Sequence, residues 1–244
     1  MVLIEDFEWE DLEEVSSTND VAKEKSLLYK NQKFVITAQK QTNGRGRRGR
    51  DWIGLEGNLF ASFGLEVELR YLGQFSILIS LSLFETIKKY DEKINVQTKW
   101  PNDILIDEKK AIGVLLEKGE GDYLIVGIGV NICNSPKNEN LLYEASSLKD
   151  INIQTDRISF LEKYINIFNQ NINHWNEFGF EILKQKWLKN VYGLNEKIVV
   201  NMENEKIEGI FRDIDDNGTL LLELKDGVVR KIYAGDIFLM KEKR

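Results

Sequence analysis

Between residues 96 and 132 four β-type runs follow one another with very little chain between them: 96–100, 104–107, 111–118 and 123–132. Connectors such as Lys118-Gly119-Glu120-Gly121-Asp122 are far shorter than the dozen or so residues that a parallel crossover needs. These strands must pair antiparallel, and a largely antiparallel sheet places its helices together against it, the α+β arrangement. Runs at 33–39 and 58–66 add two more strands. Residues 73–90 are apolar around most of a helical circumference (Phe75, Leu78, Leu81, Phe84, Ile87), the pattern of a helix buried against a sheet. Ile158, Leu161, Ile165, Phe168, Ile172 and Trp175 recur at spacings of three and four, which predicts an amphipathic helix over 157–178. Residues 15–20 read as a strand end entering a helix that runs to about residue 29. Ser17 and Asp20 there have the spacing of a capping box.

From about residue 195 the character changes. Short β-type runs (198–201, 207–211, 220–224, 228–233) alternate with hairpin-type turns at Asp216-Asn217-Gly218 and Asp226-Gly227. The expected organisation is an α+β domain over 1–194, followed by a small β-barrel over 195–244.

Composition narrows the function. A net charge of −7 over 244 residues argues against a general nucleic-acid binder, which carries a basic face. One cysteine (Cys133) excludes a disulfide framework and a cysteine-based zinc site, and one histidine (His174) leaves little for histidine-based catalysis. His174 sits on the long amphipathic helix beside Trp175, where a surface or part-buried position is expected. The N-terminus has no signal-peptide pattern, and no apolar run reaches the ~18 residues of a membrane span. A cytoplasmic, non-membrane protein is the expectation.

Against this acidic background, residues 41–52 (QTNGRGRRGRDW) hold four arginines and three glycines. Glycines let the backbone wrap closely around a ligand, and arginine forks suit phosphate or carboxylate oxygens. A solvated basic loop and an RGG-like RNA contact are the alternatives for this segment alone. Four further segments stand out. Ser17-Thr18-Asn19 can cap a helix or bind a small polar ligand with its hydroxyls, amide and first-turn N–H groups. Lys99-Trp100-Pro101-Asn102-Asp103 holds a lysine at a strand end before a proline-defined turn, placed for an anion; a hairpin connection with a surface lysine fits the turn but not the large aromatic before it. Gly113 lies inside the strand 109–117, where close approach of a backbone or ligand is the usual reason. Gly127 and Gly129 alternate along another strand and leave one face bare for a ligand, with Asn131 just beyond; a bulged core strand is the alternative for this segment alone. A third glycine and a following helix are missing, so this is no dinucleotide fingerprint.

In this order the segments closely resemble the biotin protein ligases, over almost the whole chain. The blocks that carry the resemblance are Ser-Thr-Asn, Gln-x-x-Gly-Arg-Gly-Arg-Arg-Gly-Arg-x-Trp, Lys-Trp-Pro-Asn-Asp, Lys-x-x-Gly-(aliphatic)₃-Glu and Gly-Ile-Gly-Val-Asn. The terminal β segment, with Glu208-Gly209-Ile210 and Gly235-Asp236-Ile237, resembles that family's SH3-like barrel. The resemblance implies a class II synthetase-like antiparallel sheet flanked by helices. It implies ATP-dependent activation of biotin to biotinyl-5′-AMP, then transfer to a lysine of a biotin carboxyl carrier protein, with Mg²⁺ accompanying ATP.

It also implies roles. Ser17, Thr18, Asn19 and Gln41 would meet the ureido ring, with Gly44, Arg45 and Gly46 closing over biotin. Ile104, Gly113, Gly127 and Gly129 would line the remainder of the biotin site. Lys99 and Arg47 would be the catalytic groups, touching both substrates. Arg50, Trp52, Asn102, Lys110 and Asn131 would complete the ATP site. The Gly/Arg loop, and a second one at about 134–146, would order over the ligands and shield the adenylate from water. No metal ligand and no general base for the transfer step is assigned.

Ser17 comes too early for the winged-helix DNA-binding domain that many members carry, so no DNA partner is expected. Met240 followed by Lys241 stands where some members place an ATP-reaching arginine. The resemblance admits a homodimer. A lipoate or octanoate ligase or transferase is the nearest rival activity.

Overall fold

The structure is a computed structural model that describes residues 2–4, 6–29, 32–137 and 144–240. Part of the second loop (138–143) and Lys241 lie outside the described residues.

Eight strands form the main sheet: β1 (Val2–Ile4), β2 (Phe7–Val15), β3 (Phe34–Gln41), β4 (Leu59–Glu66), β5 (Val96–Lys99), β6 (Asp103–Ile106), β7 (Lys109–Lys118) and β8 (Tyr123–Val130). Their order is β1-β2-β3-β4-β8-β7-β6-β5. The short connectors between β5 and β8 give the antiparallel pairs that their length demands. Among the described residues four α-helices accompany the sheets: α1 (Thr18–Ser26), α2 (Leu72–Lys88), α3 (Arg157–Phe178) and α4 (Phe180–Leu188).

The sheet is nevertheless mixed, which corrects the expectation of a wholly antiparallel one. β2 and β3 run parallel, in register from Glu8↔Phe34 to Val15↔Gln41. The chain between them carries α1, so it is long enough to cross over. Of β2 the sequence reading caught only the end at Val15, because the strand is crowded with acids, which are poor strand formers. Tertiary partners stabilise it: both Asp11 oxygens accept from Arg157 at 2.6 Å, Lys25 pairs with Glu10 at 2.7 Å, and Lys40 with Glu14 at 2.6 Å.

Residue alternation assigns the two faces. Val35 faces the main apolar cluster, which includes much of α2 and α3, while Phe34 and Ile36 join Ala22 of α1 in a second cluster. Along β8, Leu124, Val126, Ile128 and Val130 belong to the main cluster and Ile125 to the α1 side. Gly127 and Gly129 therefore leave the α1 face of the sheet bare.

α2 is buried nearly all round, as its composition predicts, and its buried hydroxyls are satisfied. Ser80 accepts from the Trp187 indole at 3.0 Å, and Ser82 and Thr86 donate to carbonyls one turn back. α3 spans the predicted residues, with Asp156 capping it by accepting from the Ile158 and Ser159 amides.

The C-terminal strands are β9 (Lys197–Asn201), β10 (Lys206–Ile214), β11 (Leu220–Glu223), β12 (Val229–Ile232) and β13 (Asp236–Leu239), in the order β12-β11-β10-β9-β13. The expected barrel is a second correction. β12 and β13 end up at opposite edges, and the sheet is open. Val229, Arg230 and Lys231 of β12 are exposed, and of that strand's residues only Ile232 is buried, so β12 offers little apolar surface to close over an interior. The buried residues of this sheet instead join the apolar cluster of the main one.

The hairpin at 215–219 docks on the N-terminal end of α2. The Trp100 indole donates to the Gly218 carbonyl at 3.0 Å, and the Gln74 amide to the Asp216 carbonyl at 2.7 Å. This explains the large aromatic before Pro101: Trp100 is an anchor for the second sheet. A Cβ on Gly73 would run into the Asn217 carbonyl, backbone against backbone. Gly73→Ala is therefore expected to lower stability by about 1–3 kcal/mol, measured by urea denaturation. An unchanged midpoint would show that this contact is not held tightly.

Candidate active site

A cavity opens on the bare face of the main sheet, where the start of α1, the Gly/Arg segment and β7–β8 meet. Its wall is built in two parts.

The first part is neutral. Ser17 occupies the N-cap of α1 but makes no side-chain cap bond, so the expected capping box does not form. Its side chain lines the cavity, while Asp20 takes both ends of the Arg45 guanidinium at 2.6 and 2.7 Å. Gln41 Oε1 accepts from the Thr18 amide at 2.8 Å and the Thr18 hydroxyl at 3.0 Å. Because a backbone N–H only donates, the oxygen of Gln41 must face Thr18 and its Nε2 remains for a ligand. Asn19 lies against Gly127, where a Cβ would strike its amide. Asn19 Nδ2 donates to Glu117 Oε2 at 2.6 Å, and Glu117 Oε1 pairs with Lys23 at 2.8 Å.

The second part is cationic. Residues 44–52 fold back on themselves: Trp52 N–H donates to the Gly44 carbonyl at 2.9 Å and Gly46 N–H to the Arg50 carbonyl at 2.6 Å. Gly44 is required by this fold rather than by the cavity wall, since a Cβ there would press on the Trp52 carbonyl. Arg48 takes a left-handed φ of 57°, which costs roughly 1 kcal/mol. That conformation is offset by its bonds to Asp236 (3.2 Å) and the Asn201 carbonyl (3.1 Å). Arg50 also reaches Asp236, at 3.0 Å. One carboxylate from β13 thus holds two arginines of the loop.

Arg47 donates to Asn102 Oδ1 at 2.8 Å, and Asn102 in turn binds the Val114 carbonyl. Burial holds the Arg47 guanidinium below its ordinary pKa, opposed by the nearby Asp103 and Asp236. Lys110 pairs with Asp103 at 2.8 Å and stands 5.7 Å from the Trp52 ring.

Trp52 lies over Gly113 and Gly129, which face each other across β7 and β8, and a Cβ on either would collide with the indole. Its indole N–H is buried with no acceptor among the described residues. Asn131 follows β8, with Nδ2 donating to the Ser146 carbonyl at 3.2 Å.

Fifteen sequence-predicted residues therefore line one cavity: Ser17, Thr18, Asn19, Gln41, Arg45, Gly46, Arg47, Arg50, Trp52, Asn102, Lys110, Gly113, Gly127, Gly129 and Asn131. Gly44, Ile104 and Lys99 are not part of that lining. Ile104 is fully buried in the apolar core. Lys99 is buried too, with its ammonium 5.0 Å from the Phe238 ring and 5.5 Å from that of Tyr192. Burial pushes its pKa down to about 7, while Asp103 and Asp236 pull it up and Lys110 and Arg50 push it further down.

Sequence reasoning passed over Asp236, Glu117 and Ser62 as site residues. Glu117 lay at the end of a motif already singled out, but nothing local marks Ser62, or marks Asp236 as a partner for residues 48 and 50.

The comparisons with known proteins agree with one another. Residues 12–131 match the biotin/lipoate A/B protein ligase family, and residues 193–240 match the biotin protein ligase C-terminal domain. The chain is 32% identical to the bifunctional ligase/repressor BirA of Bacillus subtilis over 92% of its length and 72% of that protein's. It is 29% identical to a biotin--[acetyl-CoA-carboxylase] ligase of Paracoccus denitrificans, covering 83% of this chain and 89% of that one. The biotin protein ligase of Aquifex aeolicus in complex with biotin and ATP superimposes with a TM-score of 0.82 at 32% identity, over 96% of this chain and 99% of that one.

The site yields one prediction independent of any substrate. Lys99 should titrate near pH 7 in the free protein, far below the ~10.4 of an exposed lysine. The pH dependence of its acylation, followed by peptide mass spectrometry, checks this. Phe238→Ser would admit water to the ammonium and move that midpoint upward, because burial is the largest cause of the shift.

Proposed function

Since this chain belongs to the biotin/lipoate A/B protein ligase family, we propose that it is an ATP-dependent biotin protein ligase. A carboxylate oxygen of biotin attacks the α-phosphorus of ATP, the bond to the β-phosphate breaks, and pyrophosphate leaves. The acceptor lysine of a biotin carboxyl carrier protein then attacks the acyl carbon of biotinyl-5′-AMP and displaces AMP.

The observation that carries this reading is the joining of a neutral, amide-lined wall to a cationic one along a single strand. Gly127 touches Asn19, Gly129 lies under Trp52, and Asn131 follows. Four residues of extended chain span roughly 13 Å, a distance suited to a ligand with a ureido ring at one end and a phosphate at the other. In this reading Ser17, Thr18, Asn19 and Gln41 hold the ring. Gly127 and Gly129 leave room for the tail, and Arg45 and Gly46 close the loop over it. Arg47, Arg50 and Lys110 offset the charge of the phosphates, Trp52 packs beside the nucleotide, and Asn102 and Asn131 orient the cations and the phosphate.

Lys99 is the group placed to offset repulsion between two anions as they approach. Its lowered pKa supports an adjustable charge: an incoming carboxylate and phosphate favour its protonated form, so substrate binding itself would charge it. Its place behind the cavity wall means that it reaches the reacting atoms only if its side chain turns from the Phe238 and Tyr192 rings.

Mg²⁺ accompanies ATP in this reading and supplies further charge neutralisation. No three His, Cys, Asp or Glu side chains gather into a metal cage among the described residues. No helix among the described residues is long and apolar enough to cross a membrane. The free thiol of Cys133 is compatible with a reducing compartment, and we place the reaction in the cytoplasm.

Pyrophosphate release with ATP tests the assignment: biotin should be turned over and lipoate should not, and faster turnover with lipoate would reverse it. Lys99→Ala should lower adenylate formation about 10²–10³-fold while the protein stays folded. A carrier domain incubated with ATP and biotin should gain one biotinyl group on one lysine by mass spectrometry.

A further inference from the structure

The arginines of the Gly/Arg loop do not share one role. Arg48 and Arg50 bind Asp236 and Arg47 binds Asn102, all at the cationic wall. Arg45 turns the other way. Its Nη1 donates to Asp20 Oδ2 at 2.7 Å and its Nη2 to Asp20 Oδ1 at 2.6 Å, with Glu117 Oε2 3.5 Å from Nη2. Asp20 belongs to the first turn of α1 and Glu117 to β7. Two carboxylates therefore neutralise this guanidinium before any ligand arrives, and the bonds to Asp20 raise its pKa above the ordinary arginine value.

Strand register gives its place along the cavity. Gly113 pairs with Gly129 and Leu115 with Gly127, so Glu117 lies one step past the Asn19 contact, on the side away from Trp52 and Asn131. Arg45 lines the cavity, whereas Asp20 and Glu117 do not. The guanidinium is thus the end wall of the neutral half, with the carboxylates behind it. A ligand carboxylate that attacks a phosphate must sit at the other end, beside Arg47, Arg50 and Lys110. Arg45 is not placed to receive it.

The same ion pair fixes the neck of the loop. Thr42 N–H donates to the Val15 carbonyl at 3.0 Å and Asn43 N–H to the Ser16 carbonyl at 2.8 Å, which lays the chain along the end of β2. From Gly44 onward the loop bonds to itself, including a bridge between Arg45 and Asp51. Beyond Asn43 the Arg45–Asp20 pair carries the link to α1. The first turn of α1 is a firm anchor, since the buried Ser62 hydroxyl donates to Asn19 Oδ1 at 2.5 Å.

We propose that Asp20 is a positioning residue for the ring of biotin: by taking both ends of the Arg45 guanidinium, it holds the neck of the Gly/Arg loop across the end of the neutral wall before the ligand binds. A neck ordered in advance spares the ligand that entropy. Without the pair, each binding event has to order residues 44–46 and biotin is held less tightly. The assignment rests on the biotin-activating function.

The test is calorimetric titration of biotin into wild type, Asp20→Asn, Arg45→Gln and the double variant, with initial rates of biotin transfer to a carrier domain. Each single substitution should raise Kd and KM for biotin about fivefold, the scale of a well-formed, partly exposed ion pair, with KM for ATP within about twofold of wild type. The double variant should bind no more weakly than either single one, since the second substitution removes a partner already idle. Long-range charge does not mimic this result. Asp20→Asn removes a negative charge and Arg45→Gln a positive one, so acting through space on the biotin carboxylate they would shift Kd in opposite directions. Asp20→Ser, also suited to a first helical turn, takes the place of Asp20→Asn if that variant fails to fold. A Kd unchanged or lowered on loss of the Asp20 carboxylate, or additive losses in the double variant, overturns the assignment while the ligase function stands. So does a lowered binding stoichiometry at constant Kd, the mark of a purely structural residue. A wild type that neither binds nor transfers biotin overturns both.

Discussion

Three absent side chains make the cavity. Gly113, Gly127 and Gly129 sit where the α1 face of the main sheet would otherwise be filled, and the neighbours that occupy that space approach too closely for any Cβ. Asn19 rests on one glycine and the Trp52 indole on the other two. A methyl group at these positions would not merely narrow a pocket. It would push α1 or the Gly/Arg loop off the sheet, and with them the neutral or the cationic wall. The rest of the site is hung on this bare strip of backbone.

The second constraint joins the two sheets. Asp236 on β13 binds Arg48 and Arg50, while Trp100 and Gly73 receive the 215–219 hairpin. The C-terminal sheet is in this sense part of the site: it supplies the carboxylate that orders the loop and the Phe238 ring beside Lys99. A barrel closed on itself would keep its apolar face to itself. The open sheet shares its buried residues with the main core, and that brings β13 up to the loop.

Much of the fold was legible where a local pattern suffices. The buried α2, the amphipathic α3 and the short-connector strands β5 to β8 follow from periodicity and chain length. Most of β2, before its end at Val15, was not legible, since its acids find their cations, Arg157 and Lys40, only after folding. Nor was the open edge of the C-terminal sheet, because the hairpin signals that mark its turns are equally consistent with closure. In the site, residue type marked the glycines, the arginines and the Ser-Thr-Asn start of α1. It misled at Ser17 and Asp20, whose spacing suits a capping box. Arg45 draws Asp20 away as an ion pair, and the Ser17 side chain is left to the cavity wall.

What the sequence determined by itself is therefore the chemistry on offer. Glycines bare one face of a strand, guanidinium groups can take anions, and amides and hydroxyls at a helix start can take a polar ring, all properties of residue type and near-neighbour spacing. What only the tertiary structure decided is which of these groups are spent and which remain. Asp236 binds two arginines nearly two hundred residues away, Glu117 orients Asn19, and Lys99 is buried against two rings that shift its proton affinity by desolvation. The reason is that charge state and hydrogen-bond direction depend on partners brought together across the chain, which no local pattern specifies.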